Sequence, residues 1–302
     1  MASQVLIAAP ISLAFEQFLL RHGYELKTDL SHSFEVEGIV TSNKLKLSAE
    51  VLTSYSKLRW IARLGSGMEI IDTSYCDQRG IHYFSSPNGI ANSVAEHTTG
   101  MLLSLLHRIH SSHQEIQNDQ WIREPNRGQE IESLTVGIIG YGHTGSAFAS
   151  KMSSFCKRII AFDKYKSGFS TDTVTEVPIE DILHHADILS FHVPLTDETT
   201  YYYNDGFINQ MSKPHYLINV SRGSVCDTKA ILKGLQSGKI LGACLDVLDE
   251  EKNINHILSQ PNHILKQLLA HNVLLTPHIA GYSHQAIEKM SHELMTKLES
   301  IL

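Results

Sequence analysis

The 302-residue chain is predicted to be an α/β protein made of two doubly wound parallel sheets. Short apolar strand-like runs alternate with helical patterns from end to end, as α/β layering requires. A glycine-rich turn joins one of these runs to a helix in mid-chain. The length suits two domains at roughly 150 residues each.

The first strand is read at Gln4–Ala9, and the helix after it carries Leu13, Phe18 and Leu19 and stops near Gly23. Further strands are read at Gly38–Val40 and Leu58–Ala62, short as parallel strands usually are. Ser93-x-x-Glu96 has the form of a capping box opening a helix over 93–110, with an apolar stripe of Val94, Met101, Leu105 and Ile109. That helix suits a connector between domains, and its two-sided apolar content suits a subunit interface. Residues 111–130 turn polar and read as surface, ending in a loop around Pro125–Gly128. A second α/β series follows, with strands at Thr135–Ile139, Arg158–Phe162, Asp187–Phe191, Tyr216–Val220, Gly242–Asp246 and Val273–Thr276. The last helix carries Ile287, Met290, Leu294, Leu298 and Ile301 and is expected to return to the first domain. Residues 1–93 and 281–302 then form one discontinuous domain, and 94–280 form the other.

Hydrophobic residues make up 42% and charged residues 19%, an ordinary globular mix, and the net charge of −7 argues against non-specific binding to nucleic acid or anionic membrane. No apolar run approaches the ~20 residues of a membrane span. Val5–Ala9 follows no basic segment, so no secretory signal is expected. Cys76, Cys156, Cys226 and Cys244 form no C-x-x-C and read as free thiols of a cytoplasmic protein. The 18 histidines show no metal-ligand spacing, so no metal is expected.

Gly140-Tyr141-Gly142-His143-Thr144-Gly145 is a G-x-G-x-x-G directly after the strand Val136–Ile139 and before a helix with an apolar face of Phe148, Met152 and Phe155. In that setting the first glycine makes the turn, the second admits a pyrophosphate and the third allows close helix–strand packing. The helix N-terminus offers N–H groups and a positive dipole end to the anion. Asp163 ends the next strand, where a carboxylate accepts from a ribose diol and repels a 2′-phosphate, favouring NAD over NADP. Lys164 and Lys166 lie beside it.

Ligands of a doubly wound sheet bind beyond the carboxyl ends of its strands. Those ends here are Gly140, Asp163, His192, Ser221-Arg222-Gly223, Asp246 and Pro277-His278. Six apolar strands that each stop at a glycine, a charge or a histidine point to a shared crevice. Arg222 offers a planar fork to a carboxylate. His278 is the proton donor near neutral pH, and Glu251, in Asp249-Glu250-Glu251, can pair with it and favour its charged form.

Along essentially its full length the chain resembles the D-isomer-specific 2-hydroxyacid dehydrogenases. The matching stretches are Ala62–Gly67, Val94–His97, Gly140–Gly145, His192–Thr196, Asn219–Gly223, Gly242–Val247 and Thr276–Ala280. The resemblance implies a Rossmann NAD-binding domain inserted into a flavodoxin-like substrate domain, with closure over the cleft. It gives Arg222 the substrate carboxylate and carbonyl. It makes His278 the acid that protonates the carbonyl oxygen as hydride arrives, and Glu251 the residue that keeps His278 protonated. Ser66 and Gly67 offer backbone N–H groups to the substrate, and Asn92 lies near it. His192, Val193 and Pro194 line the adenine side, and Asp246 reaches the nicotinamide amide. His143, Thr144, Val220, Ser221 and Ala280 complete the cofactor contacts. A homodimer through the helix near 94–110 is also implied.

Two departures bear on the activity. Lys252 follows Glu251 where the family usually has proline. Ser42-Asn43 stands where members using 3-phosphoglycerate often have Arg-Ser, leaving Lys44, Lys46, Arg59 or Arg123 to meet a phosphate. The chain runs only a short way past His278, so no C-terminal regulatory domain is expected. Overall similarity leans towards a phosphoglycerate dehydrogenase-like member, with glyoxylate or hydroxypyruvate reduction as the alternative. A different class, an NAD-sensing binding protein, is disfavoured because Arg222, Glu251 and His278 are all present. Hydrolysis of an adenosyl compound on the same sheet is disfavoured by the short gap between Gly67 and the long helix.

Overall fold

The computed structural model describes residues 3–29, 35–43, 45–249, 251–261 and 263–302, with Lys252 described by its backbone alone. Lys44 and Glu250 lie outside the described residues. The chain divides into two compact units, one of Met1–Ser93 with Gly281–Leu302 and one of Val94–Ala280.

The first unit contains β1 (Gln4–Ile7), α1 (Leu13–Arg21), β2 (Glu25–Lys27), β3 (Val36–Thr41), α2 (Ala49–Thr53), β4 (Trp60–Arg63), α3 (Thr73–Arg79) and β5 (His82–Ser85). Helix α4 (Pro87–Leu106) leads into the second unit, which continues with α5 (Ile109–Gln117), β6 (Thr135–Ile139), α6 (His143–Met152), β7 (Arg158–Phe162), β8 (Val174–Glu176) and α7 (Ile179–His185). Then come β9 (Ile188–Phe191), α8 (Asp205–Gln210), β10 (His215–Asn219), α9 (Thr228–Gln236), β11 (Ile240–Leu245), α10 (Ile254–Ser259), α11 (Ile264–Leu269) and β12 (Val273–Leu275). The chain returns to the first unit as α12 (His284–Leu298).

The first sheet is parallel in the order β2-β1-β3-β4-β5, with the topological switch between β1 and β3. Its strands alternate between two cores, as a period of two dictates. Val5, Val40, Trp60 and Ala62 face one core, which Phe15, Phe18 and Leu19 of α1 and Ala286, Met290, Leu294 and Leu298 of α12 complete. Leu6, Ile39 and Ile61 face the other, with Leu52 and Cys76. Gly38 leaves room for Trp60, since a Cβ there would stand 2.1 Å from the indole. The edge strands β2 and β5 escaped the sequence reading because ELK and HYFS are short and only half apolar.

The second sheet is parallel in the order β12-β11-β10-β9-β6-β7-β8, with the switch between β6 and β9. It has seven strands where the sequence suggested six; the addition is the edge strand β8, only three residues of VTE. Leu189, Phe191, Leu217, Ala243 and Leu245 anchor a core of the second unit, against Ile182 of α7, Phe207 of α8 and Ile231 of α9.

Two helix boundaries differ from expectation. Helix α4 starts at Pro87, not at Ser93, because proline at the first helical position loses no hydrogen bond and presets φ. Its first turn is capped from α12: Glu293 accepts the Gly89 N–H at 3.0 Å and the Asn88 amide at 3.2 Å. Ser93 and Glu96 therefore sit mid-helix, and Glu96 pairs with Lys151 at 3.2 Å. The helix ends at Leu106, Arg108 turns left-handed (φ 55°), and the polar stretch after it forms α5, with no buried side chain. Helix α6 likewise ends at Met152, leaving Phe155 in the following turn 41% exposed, so Phe155 is not part of its packed face.

If α12 completes the first core, Leu294→Ala destabilises the protein by about 2–5 kcal/mol in urea unfolding. A loss under about 0.5 kcal/mol would place Leu294 outside a packed core.

Candidate active site

The glycine turn sits at the switch point of the second sheet. Gly140 has φ +93°, and a Cβ there would meet the His192 carbonyl at 2.6 Å. A Cβ on Gly145 would meet the Gly140 carbonyl oxygen at 2.0 Å, so both glycines are needed for β6, α6 and the end of β9 to close up. Gly142 differs, for a Cβ there meets nothing within 4 Å. It is the N-cap of α6 and supplies no side-chain cap, so the first-turn amides at His143 and Thr144 stay open beside exposed backbone. That open cradle fits a pyrophosphate.

Asp163 is held rigidly beside this loop. One carboxylate oxygen accepts Tyr141 N–H at 2.8 Å, and the other accepts Tyr165 N–H at 2.9 Å and Lys166 N–H at 3.1 Å. A carboxylate has about four acceptor positions, so one remains for a ribose hydroxyl. The neighbouring lysines are engaged elsewhere. Lys164 pairs with Glu198 at 2.7 Å, and Lys166 donates to the Tyr141 carbonyl at 3.2 Å, over the Tyr141 ring.

The ends of β10, β11 and β12 bring Arg222, Glu251 and His278 onto one edge. His278 Nδ1 stands 2.9 Å from a Glu251 carboxylate oxygen, and both side chains are about one-third exposed. With Nδ1–H given to the carboxylate, Nε2 is left to meet a reacting group. The other Glu251 oxygen accepts Leu248 N–H at 2.8 Å, which fixes the carboxylate at both ends. His278 has φ +56° and is held there by its N–H, which donates to the Asp246 carbonyl at 2.8 Å. Arg222 lies in the turn after β10, half-buried, with a guanidinium N–H donated to the Ser221 carbonyl at 2.8 Å. Asn219 shapes that turn by accepting the Ser221 N–H at 3.1 Å and hydroxyl at 2.8 Å and donating to the Arg222 carbonyl at 3.0 Å.

Several residues expected at the cofactor also underpin the fold around it. Asp246 is 2% exposed, and its carboxylate accepts Thr276 Oγ1–H at 2.6 Å, Ile279 N–H at 2.9 Å and Ala280 N–H at 2.8 Å. Ala280 is buried with its amide so used, and Val220 is buried. Ser221 turns its hydroxyl inward to Asn219. The His192 imidazole is buried against Phe148 with a 2.9 Å bond to Ser190, so its backbone and Cβ border the glycine turn while the ring points away. Val193 is half-exposed and Pro194 exposed. Sequence reasoning gave no role to Asn219 or Thr276, although Asn219 precedes the Arg222 turn and Thr276 closes the last strand run.

In the first unit, Ser66 and Gly67 lie half-exposed in the turn beyond the carboxyl end of β4, and Asn92 lies on α4. Buried Ser86 shapes this turn, taking Gly65 N–H at 3.1 Å and donating to the Arg63 carbonyl at 3.1 Å.

The family model described as "D-isomer specific 2-hydroxyacid dehydrogenase, NAD binding domain" matches residues 99–280, more than half of the chain. The chain belongs to that family. It is an NAD-dependent oxidoreductase, and the open cradle at Gly142 is where its residues fit the cofactor's pyrophosphate. A glyoxylate reductase of Thermofilum pendens is 34% identical over 267 residues, covering 85% of this chain and 76% of that protein. A hydroxypyruvate reductase of Thermotoga maritima is 31% identical, covering 87% and 84%. The D-3-phosphoglycerate dehydrogenase of Homo sapiens is 30% identical over 86% of this chain, which spans only 48% of that relative. Among solved structures, a D-lactate dehydrogenase from Aquifex aeolicus complexed with NAD and lactic acid matches with a TM-score of 0.84 at 27% identity, covering 98% of this chain and 94% of that one.

Burial pushes His192 down to about 3 and His215 down to about 4, so both stay neutral in the folded protein at physiological pH. An unfolded histidine titrates near 6.5, so below that pH the unfolded chain binds protons that the folded chain refuses. Stability therefore falls with acidification below about pH 6.5, by up to about 1.4 kcal/mol per pH unit for each such group. His192→Gln should be relatively less destabilised at pH 5 than at pH 7 in urea unfolding; an equal loss at both would contradict burial of a neutral ring.

Proposed function

We propose that this protein is an NADH-linked reductase of small, non-phosphorylated 2-oxo acids such as glyoxylate and hydroxypyruvate, forming the D-2-hydroxy acid. The observation that carries the reaction is the His278–Glu251 contact, set on the same sheet edge as the Arg222 turn and the open glycine cradle. Bound NADH supplies the hydride. Gly140, Gly142, His143, Thr144 and Gly145 hold the pyrophosphate, Asp163 the ribose, and Val193, Pro194 and the His192 backbone border the adenine side. Val220, Ser221 and Ala280 shape the nicotinamide end from below, and Asp246 is assigned its amide as well as the support of His278.

Arg222 orients the substrate carboxylate with its fork, and Ser66 and Gly67 N–H groups with Asn92 complete that recognition. His278 Nε2 gives its proton to the carbonyl oxygen, and Glu251 stabilises the charged imidazole and fixes its tautomer. In the oxidative direction His278 takes the proton back.

The preference against a phosphate rests on the described residues expected to meet one, Lys44 lying outside them. Ser42-Asn43 follows β3, and the Asn43 side chain is taken by the buried Arg63 guanidinium. Arg59 precedes β4, whereas Ser66–Gly67 follows it, so a strand's length of roughly 13 Å separates them. Arg59 instead lies 3.9 Å from Glu37. Lys46 is exposed beyond β3, and Arg123 is exposed at the start of the short turn Glu124–Asn126.

We also propose a homodimer, with its contact surface moved from the 94–110 helix. Val94, Ala95, Met101, Leu102, Leu105 and Leu106 are already buried in the single chain. The exposed apolar side chains come just after them: Ile109 (56%), Ile116 (53%), Trp121 (82%) and Ile122 (40%). Large apolar side chains exposed so close together in sequence favour an interface there.

In an NADH-consumption assay, hydroxypyruvate and glyoxylate should be turned over faster than 3-phosphohydroxypyruvate; the reverse order would restore the phosphoglycerate dehydrogenase reading. Arg222→Gln should lower kcat/KM about 100-fold, for loss of a charge-assisted contact of ~3 kcal/mol, with NADH affinity kept. His278→Asn should lower kcat by about 10²–10⁴. Unchanged turnover in both variants would remove the roles given to Arg222 and His278, and a wild type that binds NADH without turnover would indicate an NAD-sensing protein instead. Ile116→Asp combined with Trp121→Asp should convert the dimer to monomer in light scattering, and a dimer that persists would place the interface elsewhere.

A further inference from the structure

Three segments leave neighbouring strands at the working edge of the second sheet. The one after β9 runs from His192 to Tyr201, the one after β10 carries Arg222, and the one after β11 leads to Glu251. The last two touch directly at Gly223, where a Cβ would stand 1.8 Å from the Leu248 carbonyl oxygen. Asp249 then joins all three. One carboxylate oxygen accepts the Ser224 hydroxyl at 3.0 Å, and the other accepts the Tyr201 hydroxyl at 2.9 Å. Tyr201 and Ser224 are also linked by backbone, Tyr201 N–H donating to the Ser224 carbonyl at 2.7 Å. Tyr201 holds a left-handed φ of +50°, a costly conformation for a bulky residue, so its surroundings must over-determine it.

Asp249 is not itself bonded to Arg222, Glu251 or His278 in these contacts. Its position matters because Leu248, beside it, donates its N–H to Glu251 at 2.8 Å, and Glu251 in turn meets His278 at 2.9 Å. We propose that Asp249 is a positioning residue, a clasp that ties the Glu251 turn to the Arg222 turn and to the segment after β9. It keeps the Glu251 carboxylate on His278 and the pair in register with Arg222. The proposal rests on the reading above that these three residues perform the chemistry.

The test combines amide hydrogen exchange with kinetics on the full chain. In Asp249→Ala, exchange over residues 247–253 should accelerate about 10-fold or more, while β6 and α6 stay as in the wild type. The kcat for hydroxypyruvate reduction should fall about 10-fold, with NADH affinity unchanged within about two-fold, because only the reacting geometry is loosened. Asp249→Asn, whose amide can still bond both hydroxyls, should restore exchange and kcat to near wild type. Tyr201→Phe, which removes one arm, should fall between and serves if Asp249→Ala does not fold. Unchanged exchange over 247–253 in Asp249→Ala or Tyr201→Phe overturns the clasp, and so does an Asn variant as impaired as the Ala variant. A wild type that reduces no 2-oxo acid overturns the functional reading instead, and the exchange data still decide the clasp.

Discussion

Asp246 lies buried at the end of β11 and gathers the last turn of the second sheet onto itself. Its carboxylate accepts Thr276 Oγ1–H and the N–H groups of Ile279 and Ala280, and its carbonyl takes the N–H of His278. A charge that deep is tolerated only when donors surround it, so the turn must close around Asp246 in one way. That closure holds His278 in the left-handed region and sends its ring towards Glu251. The acid pair is thus a consequence of how a buried carboxylate is satisfied. His97, whose ring stands 3.1 Å from Thr276 Oγ1 and 3.7 Å from Asp246, extends the same network into α4.

Parallel strand order does the rest. All seven strands of the second sheet run the same way, so every segment that follows a strand starts from one edge. The switch between β6 and β9 opens that edge, and Gly140 and Gly145 let the backbone close beneath it without filling it. The glycine turn and the His278–Glu251 pair share an edge because the sheet has no other place for turns of this kind. Burial also separates the histidines by role. His192 and His215 are kept neutral inside the core, His215 with a 2.8 Å bond to Tyr203, while the side chain of His278 keeps about a third of its surface exposed at the reacting edge.

Strand runs that are continuously apolar were legible in the sequence: Thr135–Ile139 and Arg158–Phe162 are found with those bounds. Edge strands such as Val174–Glu176 were not, because one neighbour and a half-wet surface demand few apolar residues. The α4 boundary was misjudged because Ser93-x-x-Glu96 matches a cap while the true start depends on Pro87 and on Glu293, distant in sequence. In the site, Arg222 and His278 were legible as strand-end residues, and Glu251 as an acid able to pair with His278. The inward turn of His192, Ser221 and Asp246 was not, since a polar side chain just past a strand can face ligand or core and only three-dimensional donors decide which. The clasp at Asp249 was hidden for the same reason. In sequence it reads as part of an acidic run, and its partners Tyr201 and Ser224 come from two other segments.

In the proposed reaction this edge directs a hydride to the 2-carbon of an oxo acid while His278 protonates its oxygen. The most direct measurement is the product of hydroxypyruvate reduction with NADH deuterated at the transferring position of the nicotinamide. The expected product of that reaction is D-glycerate carrying one deuterium at carbon 2. Glycerate of the L configuration, deuterium absent from carbon 2, or no reduced product would contradict it.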